Sequence, residues 1–338
     1  MSYYVGLGLH GSNTYLGILD EKGERVLKAK VDNFIDLVLD KLKLFRSSIA
    51  GVVVESTFNW YWLVDGLMEA GFRVHLAQTS ANKQYEGLKH TNDLHDAFHL
   101  ANLLRLGILK EGHIYPKKER AIRDLLRKRL MLVRHRTAHI LSFQSLYNRH
   151  KGCRFEANGI KRLREHDIDD LFDGDYLRLS AKANIATIGF LEKRIAEIER
   201  VVLNAMKLLP EFEKLKTITG VGDILALTIA LETGTISRFP KVGNYASYCR
   251  CVSSQRLSNG KKKGQNNRKN GNKYLGWAFV EAANFTKRYC SDARRFYQRK
   301  AAKTKEVVAI KAVSHKLARA AYFVMRDRVD YNSKKAFA

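Results

Sequence analysis

Short apolar runs at two-residue alternation open the chain, and the pattern then lengthens to helical spacing. Residues 3 to 9 and 13 to 20 read as two β-strands around the turn-like HGSN, and a third short strand follows at Arg25 to Lys30. VDNFIDLVLDKLKLF places apolar residues on one helical face, IAGVVVE is a buried-strand pattern, and a helix from about Asn59 to Ala70 precedes the strand FRVHLA. A helix from Asp93 to about Leu109 completes an alternation of strands and helices, which predicts an α/β sheet.

Beyond residue 112 the strand signal stops. Lys118 to Tyr147 predicts one long helix with Ile122, Leu126, Leu130, Val133 and Ile140 on one side and many arginines on the other. In the next long helix Ile188, Leu191, Ile195, Ile198, Val202, Ala205 and Leu209 recur at alternating spacings of three and four, the seam of a coiled coil. Such a seam serves either a hairpin within one chain or pairing between chains. LKTITGVGDILALTIALE resembles a helix-hairpin-helix in which Gly220 and Gly222 let the backbone approach a phosphate, although a plain turn between helices has the same pattern.

Charge divides the chain in the same place. Residues 1 to 110 hold 12 Lys+Arg against 12 Asp+Glu, so the whole formal charge of +26 falls on the remainder. A field of that sign and size favours a polyanion. It is densest in RLSNGKKKGQNNRKNGNK, where Lys261, Lys262, Lys263, Arg268, Lys269 and Lys273 occur without an acid, in a loop whose glycines and asparagines disfavour helix. Arg294, Arg295, Arg299, Lys300, Lys303 and Lys311 continue the basic surface, interleaved with aromatic residues. Four cysteines without a CxxC pair or a companion histidine cluster read as reduced thiols, not a zinc site. The amino terminus lacks the flank and apolar stretch of a secretion signal, and no segment has about 18 uninterrupted apolar residues. A soluble intracellular protein without a membrane partner is expected.

The candidate chemistry lies in the neutral third. Glu55 ends a central strand, and Asp93 and Asp96, at i and i+3, share a helical face. Carboxylates gathered at a strand end suit one or two Mg²⁺ ions, which keep water and assist attack on a phosphodiester. Ser258, within RLSNGKKKG, would need a base, a metal-bound oxygen or a dense positive field to act as a nucleophile, and nothing local ranks it above Ser253 or Ser254.

YVGLGLH, VVVEST, LKHTNDLHDAFHLA, TITGVGDILAL and RLSNGKKKG occur in the order and spacing of a known group. Together they resemble the DEDD transposases of the insertion-sequence family called "one-ten", relatives of the Piv DNA invertase, over nearly the whole chain. The resemblance implies a RuvC-like, ribonuclease-H-like α/β domain at 1–112, a helical coiled-coil domain at 113–208, a mostly helical transposase domain with a catalytic serine at 209–330, and a tail at 331–338. It implies an RNA-guided transposase or site-specific recombinase with a bridge RNA, target DNA and donor DNA as partners, in the cytoplasm of a bacterial or archaeal cell and associated with the nucleoid. Glu55, Asp93 and Asp96 are similar to the family's metal-binding acids, and Ser258 to the serine that forms a phosphoserine link. Metal held by one subunit activating the serine of another favours pairing between chains through the seam, as a dimer or tetramer.

One position departs from the family. Gly8 stands where the first strand carries an aspartate, and Asp20, at the far end of the next strand, is not placed to substitute. Weakened metal binding is expected, and with it an alternative: a catalytically disabled, RNA-guided nucleic-acid-binding protein.

Overall fold

The computed structural model describes residues 1–78, 81–82, 92–206, 210–265 and 270–338. Leu209 of the seam and two basic-loop residues, Arg268 and Lys269, lie outside the described residues. Two compact units are present, Met1–Lys117 and Lys118–Ala338, the second including both the long helices and the carboxy-terminal helices.

In the first unit, β1 (Tyr3–Leu9), β2 (Asn13–Leu19), β3 (Arg25–Asp32), β4 (Ile49–Glu55) and β5 (Val74–Ala77) form one mixed sheet in the order β3-β2-β1-β4-β5. The hairpin-connected strands pair antiparallel, while β1–β4 and β4–β5 pair parallel. One face carries Val5, Leu7, Leu9, Leu16, Ile18, Val52 and Val54, packed with Val38 and Leu42 of α1 (Ile35–Leu42) and Leu63, Val64 and Leu67 of α2 (Tyr61–Glu69). The opposite face is built from small residues. A Cβ on Gly6 would stand 1.9 Å from the Ala97 carbonyl, and one on Gly17 would stand 2.8 Å from the Phe98 ring, so α3 (Asp93–Arg105) lies almost directly on the backbone of the sheet. This close approach fixes where α3 begins, above the carboxyl ends of β1 and β4.

The second unit is helical apart from one hairpin. α4 (Lys117–Lys151) is followed by the single turns α5 (Ala157–Ile160) and α6 (Ile168–Leu171), then by α7 (Asp175–Met206). Arg129 pairs with Glu199, Arg136 with Glu192, and His139 with Asn184, so α4 and α7 run antiparallel. Ile188, Leu191, Ile195 and Val202 are all buried inside this one chain, with Ile188 in a cluster with Ile140 and Phe143, and Val202 in the carboxy-terminal core. These four seam positions are covered within the chain, as a hairpin would cover them, whereas Ile198 is half-buried and Ala205 exposed. The arginines of α4 are also partly spent on internal ion pairs and are not all available as basic surface.

The remaining elements are α8 (Pro210–Lys216), α9 (Asp223–Thr233), α10 (Val242–Tyr248), β6 (Arg256–Ser258), β7 (Lys261–Gly264), α11 (Lys273–Tyr289), α12 (Ser291–Ala301), α13 (Glu306–Asp327) and α14 (Ser333–Phe337). α9 is apolar nearly all round because it runs through the middle of this core, with Ala226, Leu227, Ile229 and Leu231 buried. Phe337 of α14 is buried in the same core. No helix among the described residues is long and apolar enough to cross a membrane.

Candidate active site and nucleic-acid interface

β1 and β4 end at the same edge of the sheet. Their last paired residues are Leu7 and Val54, so Gly8 and Glu55 follow as neighbours in register. Over this edge the Asn92 side chain caps α3 by accepting the His95 N–H at 2.8 Å, which turns Asp93 and Asp96 into the first helical turn. Helix starts favour carboxylates, because the unpaired N–H groups there carry partial positive charge. The structure therefore brings Glu55, Asp93 and Asp96 into one electrostatic neighbourhood. Burial pushes the Glu55 carboxyl above its ordinary pKa; His10 opposes the shift, and Asp96 and Asp93 reinforce it.

His10 is a member of this group that the sequence reading passed over. It leaves the end of β1 with its Nε2 3.5 Å from Asp93 Oδ1, its ring is edge-on to Tyr15, and its carbonyl accepts Nδ2–H bonds from Asn33 and Asn59 at 2.9 and 3.0 Å. Its position directly after GLGL was the available signal. One turn beyond Asp96, the buried Nε2 of His99 makes no hydrogen bond among the described residues.

The donor chemistry of the three carboxylates suits a hard divalent cation, whose charge would relieve Glu55. Among the described residues, however, no three His, Cys, Asp or Glu side chains are gathered closely enough to hold a metal. The gap coincides with Gly8. A Cβ there would lie 3.4 Å from the Asp93 carbonyl oxygen and 3.9 Å from the Tyr15 Cβ, ordinary van der Waals distances, so the position has room for the side chain it lacks. Asp20 does not fill the gap: it sits at the other end of β2, and its Oδ1 accepts the Lys22 and Glu24 N–H groups across the β2–β3 turn.

In the second unit, Ser258 is at the tip of a two-stranded hairpin, opposite Lys261. Asn259 and Gly260 both have positive φ, 49° and 69°, the conformation that a two-residue hairpin turn demands and that Asn-Gly supplies. The expected basic loop contains a short hairpin here, and Asn259-Gly260 was the overlooked cue. Ser258, Lys261, Lys262 and Lys263 are all exposed; Ser253, also exposed, and the half-buried Ser254 precede the strand, so only Ser258 lies in the hairpin. Lys273 begins α11 with its ammonium 5.2 Å from the Tyr274 ring centroid.

The two glycines of the α8–α9 turn have different surroundings. A Cβ on Gly220 would meet Thr286 Oγ1 at 2.6 Å and the Ala282 carbonyl at 2.7 Å, so this glycine is explained by packing on α11. Gly222 caps α9 and has open space around it, which leaves it accessible to a phosphate.

The first unit is thus a mixed five-stranded sheet with Glu55, Asp93 and Asp96 near the ends of β1 and β4, and the second a basic helical unit with an exposed serine at a hairpin tip. Residues 5–150 match the DEDD transposase profile of IS110 elements, and residues 212–298 match the profile described as transposase IS116/IS110/IS902 family. The chain thus carries both IS110-family transposase domains, and DNA is its substrate class. No curated protein matches the chain.

Proposed function

We propose that the protein is an RNA-guided DNA transposase or site-specific recombinase in which Ser258 is the nucleophile. The observation carrying this reading is the placement of an exposed serine at the tip of a rigidly turned, lysine-lined hairpin, within a chain that also carries the acid-bearing domain. The Ser258 Oγ attacks a DNA phosphorus. An Oγ–P bond forms as the P–O bond to the departing nucleoside breaks, and the serine proton passes through solvent to the leaving oxygen. The phosphoserine diester conserves the energy of the broken bond, so the hydroxyl of an exchanged strand can attack it and release the serine without another energy source.

Lys261, Lys262 and Lys263 hold the backbone phosphates beside the serine, and Arg268, Lys269, Lys273 and the amide-rich turn at Gly222 extend the polyanion track. Glu55, Asp93 and Asp96 are the residues that would face a Mg²⁺ ion, although as arranged here they are not gathered closely enough to hold one by themselves; a bound ion would supply positive charge to a phosphoryl oxygen. Target choice is assigned to a guide RNA pairing with target and donor DNA, the protein supplying an extended basic surface for their backbones. More than one copy assembles on the DNA.

Recombination of a supercoiled plasmid bearing the DNA that flanks the coding sequence, with purified protein, RNA transcribed from that flank and Mg²⁺, tests the reading. Recombinant product is expected with the wild-type chain and none with Ser258→Ala. Equal product from both removes Ser258 from the chemistry, and tight salt-sensitive binding without product from either leaves a nucleic-acid-binding protein.

A further inference from the structure

Glu232 is 2% exposed, yet it sits in α9, an otherwise apolar helix at the centre of the carboxy-terminal core. A carboxylate in such a place requires compensation. Arg127 of α4 provides it in fork geometry, Nε donating to Oε1 at 2.5 Å and Nη2 to Oε2 at 2.7 Å, while its guanidinium lies 4.5 Å from the Tyr274 ring centroid. Burial by itself would lower the Arg127 pKa, but the hydrogen bonds and charge of Glu232 raise it above the ordinary arginine value. The space beside the pair is only about 10 Å³, too small for a ligand. The pair is therefore not a binding site.

A third partner shows what it holds. Asn272 Nδ2 donates to Glu232 Oε2 at 2.7 Å, while Asn272 Oδ1 accepts the N–H groups of Tyr274 and Leu275 at 2.8 and 3.2 Å and so caps α11. Asn272 is where the chain re-enters the helical body after the hairpin arm. Around it the two ends of the arm are tied by one backbone bond and one side-chain bond: the Asn272 N–H donates to the Tyr248 carbonyl at 2.6 Å and the Arg250 side-chain Nε to the Gly271 carbonyl at 3.0 Å. Gly271 has φ of +87°, and a Cβ on it would stand 2.5 Å from the Tyr248 carbonyl, so the closure tolerates no side chain. Hydrophobic residues of similar volume commonly replace a buried ion pair with no loss of stability. A packed core alone does not need this arrangement; a core that must aim a protruding arm gains a directional anchor from it.

We propose that Asn272, Glu232 and Arg127 form a positioning lock that sets the direction of the β6–β7 arm and thereby places Ser258 for in-line attack. The proposal rests on the reading of Ser258 as nucleophile. These three are positioning residues and touch no substrate. Misplacing an attacking group by about an ångström lowers rates by roughly a hundredfold, so a small rotation of the arm at its root has a large kinetic effect at its tip.

Asn272→Ser tests the lock without dismantling the core. Serine caps a helix about as well as asparagine, but its hydroxyl is too short to reach Glu232, and the Arg127–Glu232 pair stays intact. Three quantities are read on the full chain: the melting temperature, the salt-dependent affinity for a plasmid fragment, and the rate of covalent protein–DNA adduct formation through Ser258. The lock predicts that the first two stay near wild type while the adduct rate falls by roughly tenfold or more. Asn272→Asp, which keeps the helix cap but sets a second carboxylate against Glu232 Oε2, is expected to lower the rate in the same way. An adduct rate in Asn272→Ser equal to wild type overturns the proposal. So does a fall matched by an equal drop in affinity and stability, which a merely structural role would produce.

A fourth reading separates the lock from the chemistry. In a Cys153→Ser background, a dye on Ser258→Cys reports arm motion by fluorescence anisotropy in the absence of DNA. If the wild-type chain forms no adduct yet Asn272→Ser lowers the anisotropy, the nucleophile reading fails and the lock stands. If wild type forms the adduct and Asn272→Ser changes neither anisotropy nor rate, the lock fails and the nucleophile reading stands.

Discussion

Gly8 is the residue on which the acidic site turns. The sequence marked it as a departure, and the structure adds that the position is roomy and neighbours Glu55 in register, so the deficit is one of charge and ligands and not of space. Gly8→Asp is expected to fold normally and to tighten Mn²⁺ binding by about tenfold or more, since a further carboxylate a few ångströms from the cation is worth at least about 1.4 kcal/mol; calorimetric titration measures it, and unchanged affinity would show that Glu55, Asp93 and Asp96 do not face a shared cation. Glu55 gives a second expectation at this scale. Its pKa is raised by burial, so the folded chain holds the proton more tightly than the unfolded chain, and stability falls as pH rises from the ordinary carboxylate value through the raised one. In buffer containing chelator, Glu55→Gln is expected to flatten that fall and to raise the melting temperature slightly at neutral pH. Glu55, Asp93 and Asp96 were legible as residue types at suitable positions. His10 was not, because a lone histidine after a strand has no periodicity to reveal it.

At the scale of elements, strands and helices of the first unit follow their hydrophobic patterns closely, and β1, β2, β4 and α3 begin where the pattern changes. The seam of α7 shows where periodicity stops being informative. A three-four repeat states that one edge of a helix is covered, but it does not name the cover, and here the antiparallel α4 of the same chain supplies it through Arg129–Glu199 and Arg136–Glu192. Leu191→Ala is therefore expected to cost about 2–5 kcal/mol, with a urea midpoint that does not shift with protein concentration; a concentration-dependent midpoint would indicate that the seam joins chains. The hairpin at Ser258 failed to register for a different reason. Its strands are short and carry a single apolar residue, Leu257, so the signal resides in the Asn-Gly turn. Glu232 was passed over because a single acid near the end of an apolar helix reads as a solvated terminus, and only the fold shows it buried against Arg127 and Asn272.

For the whole molecule, charge asymmetry was the most reliable sequence signal: a neutral sheet-bearing unit and a strongly basic helical one correspond to the two compact units. That asymmetry carries a quantitative consequence. Replacing Lys261, Lys262 and Lys263 together by alanine is expected to lower the slope of log affinity against log salt for duplex DNA by roughly 2.7, about 0.9 for each phosphate that a lysine no longer neutralises; an unaltered slope would remove the hairpin from the nucleic-acid interface. Under the proposed guidance by RNA, direction of strand exchange and choice of target would be properties of guide and DNA. The most direct measurement joins the scales. Wild-type protein reacted with plasmid bearing its flanking DNA and flank-derived RNA in the presence of Mg²⁺ is denatured, digested and examined by mass spectrometry for a nucleotide-bearing peptide. A phosphodiester on Ser258, abolished in Ser258→Ala, is the predicted result, whereas recombinant DNA formed with no covalent nucleotide on any serine, or with the link on Ser253 or Ser254, would contradict it.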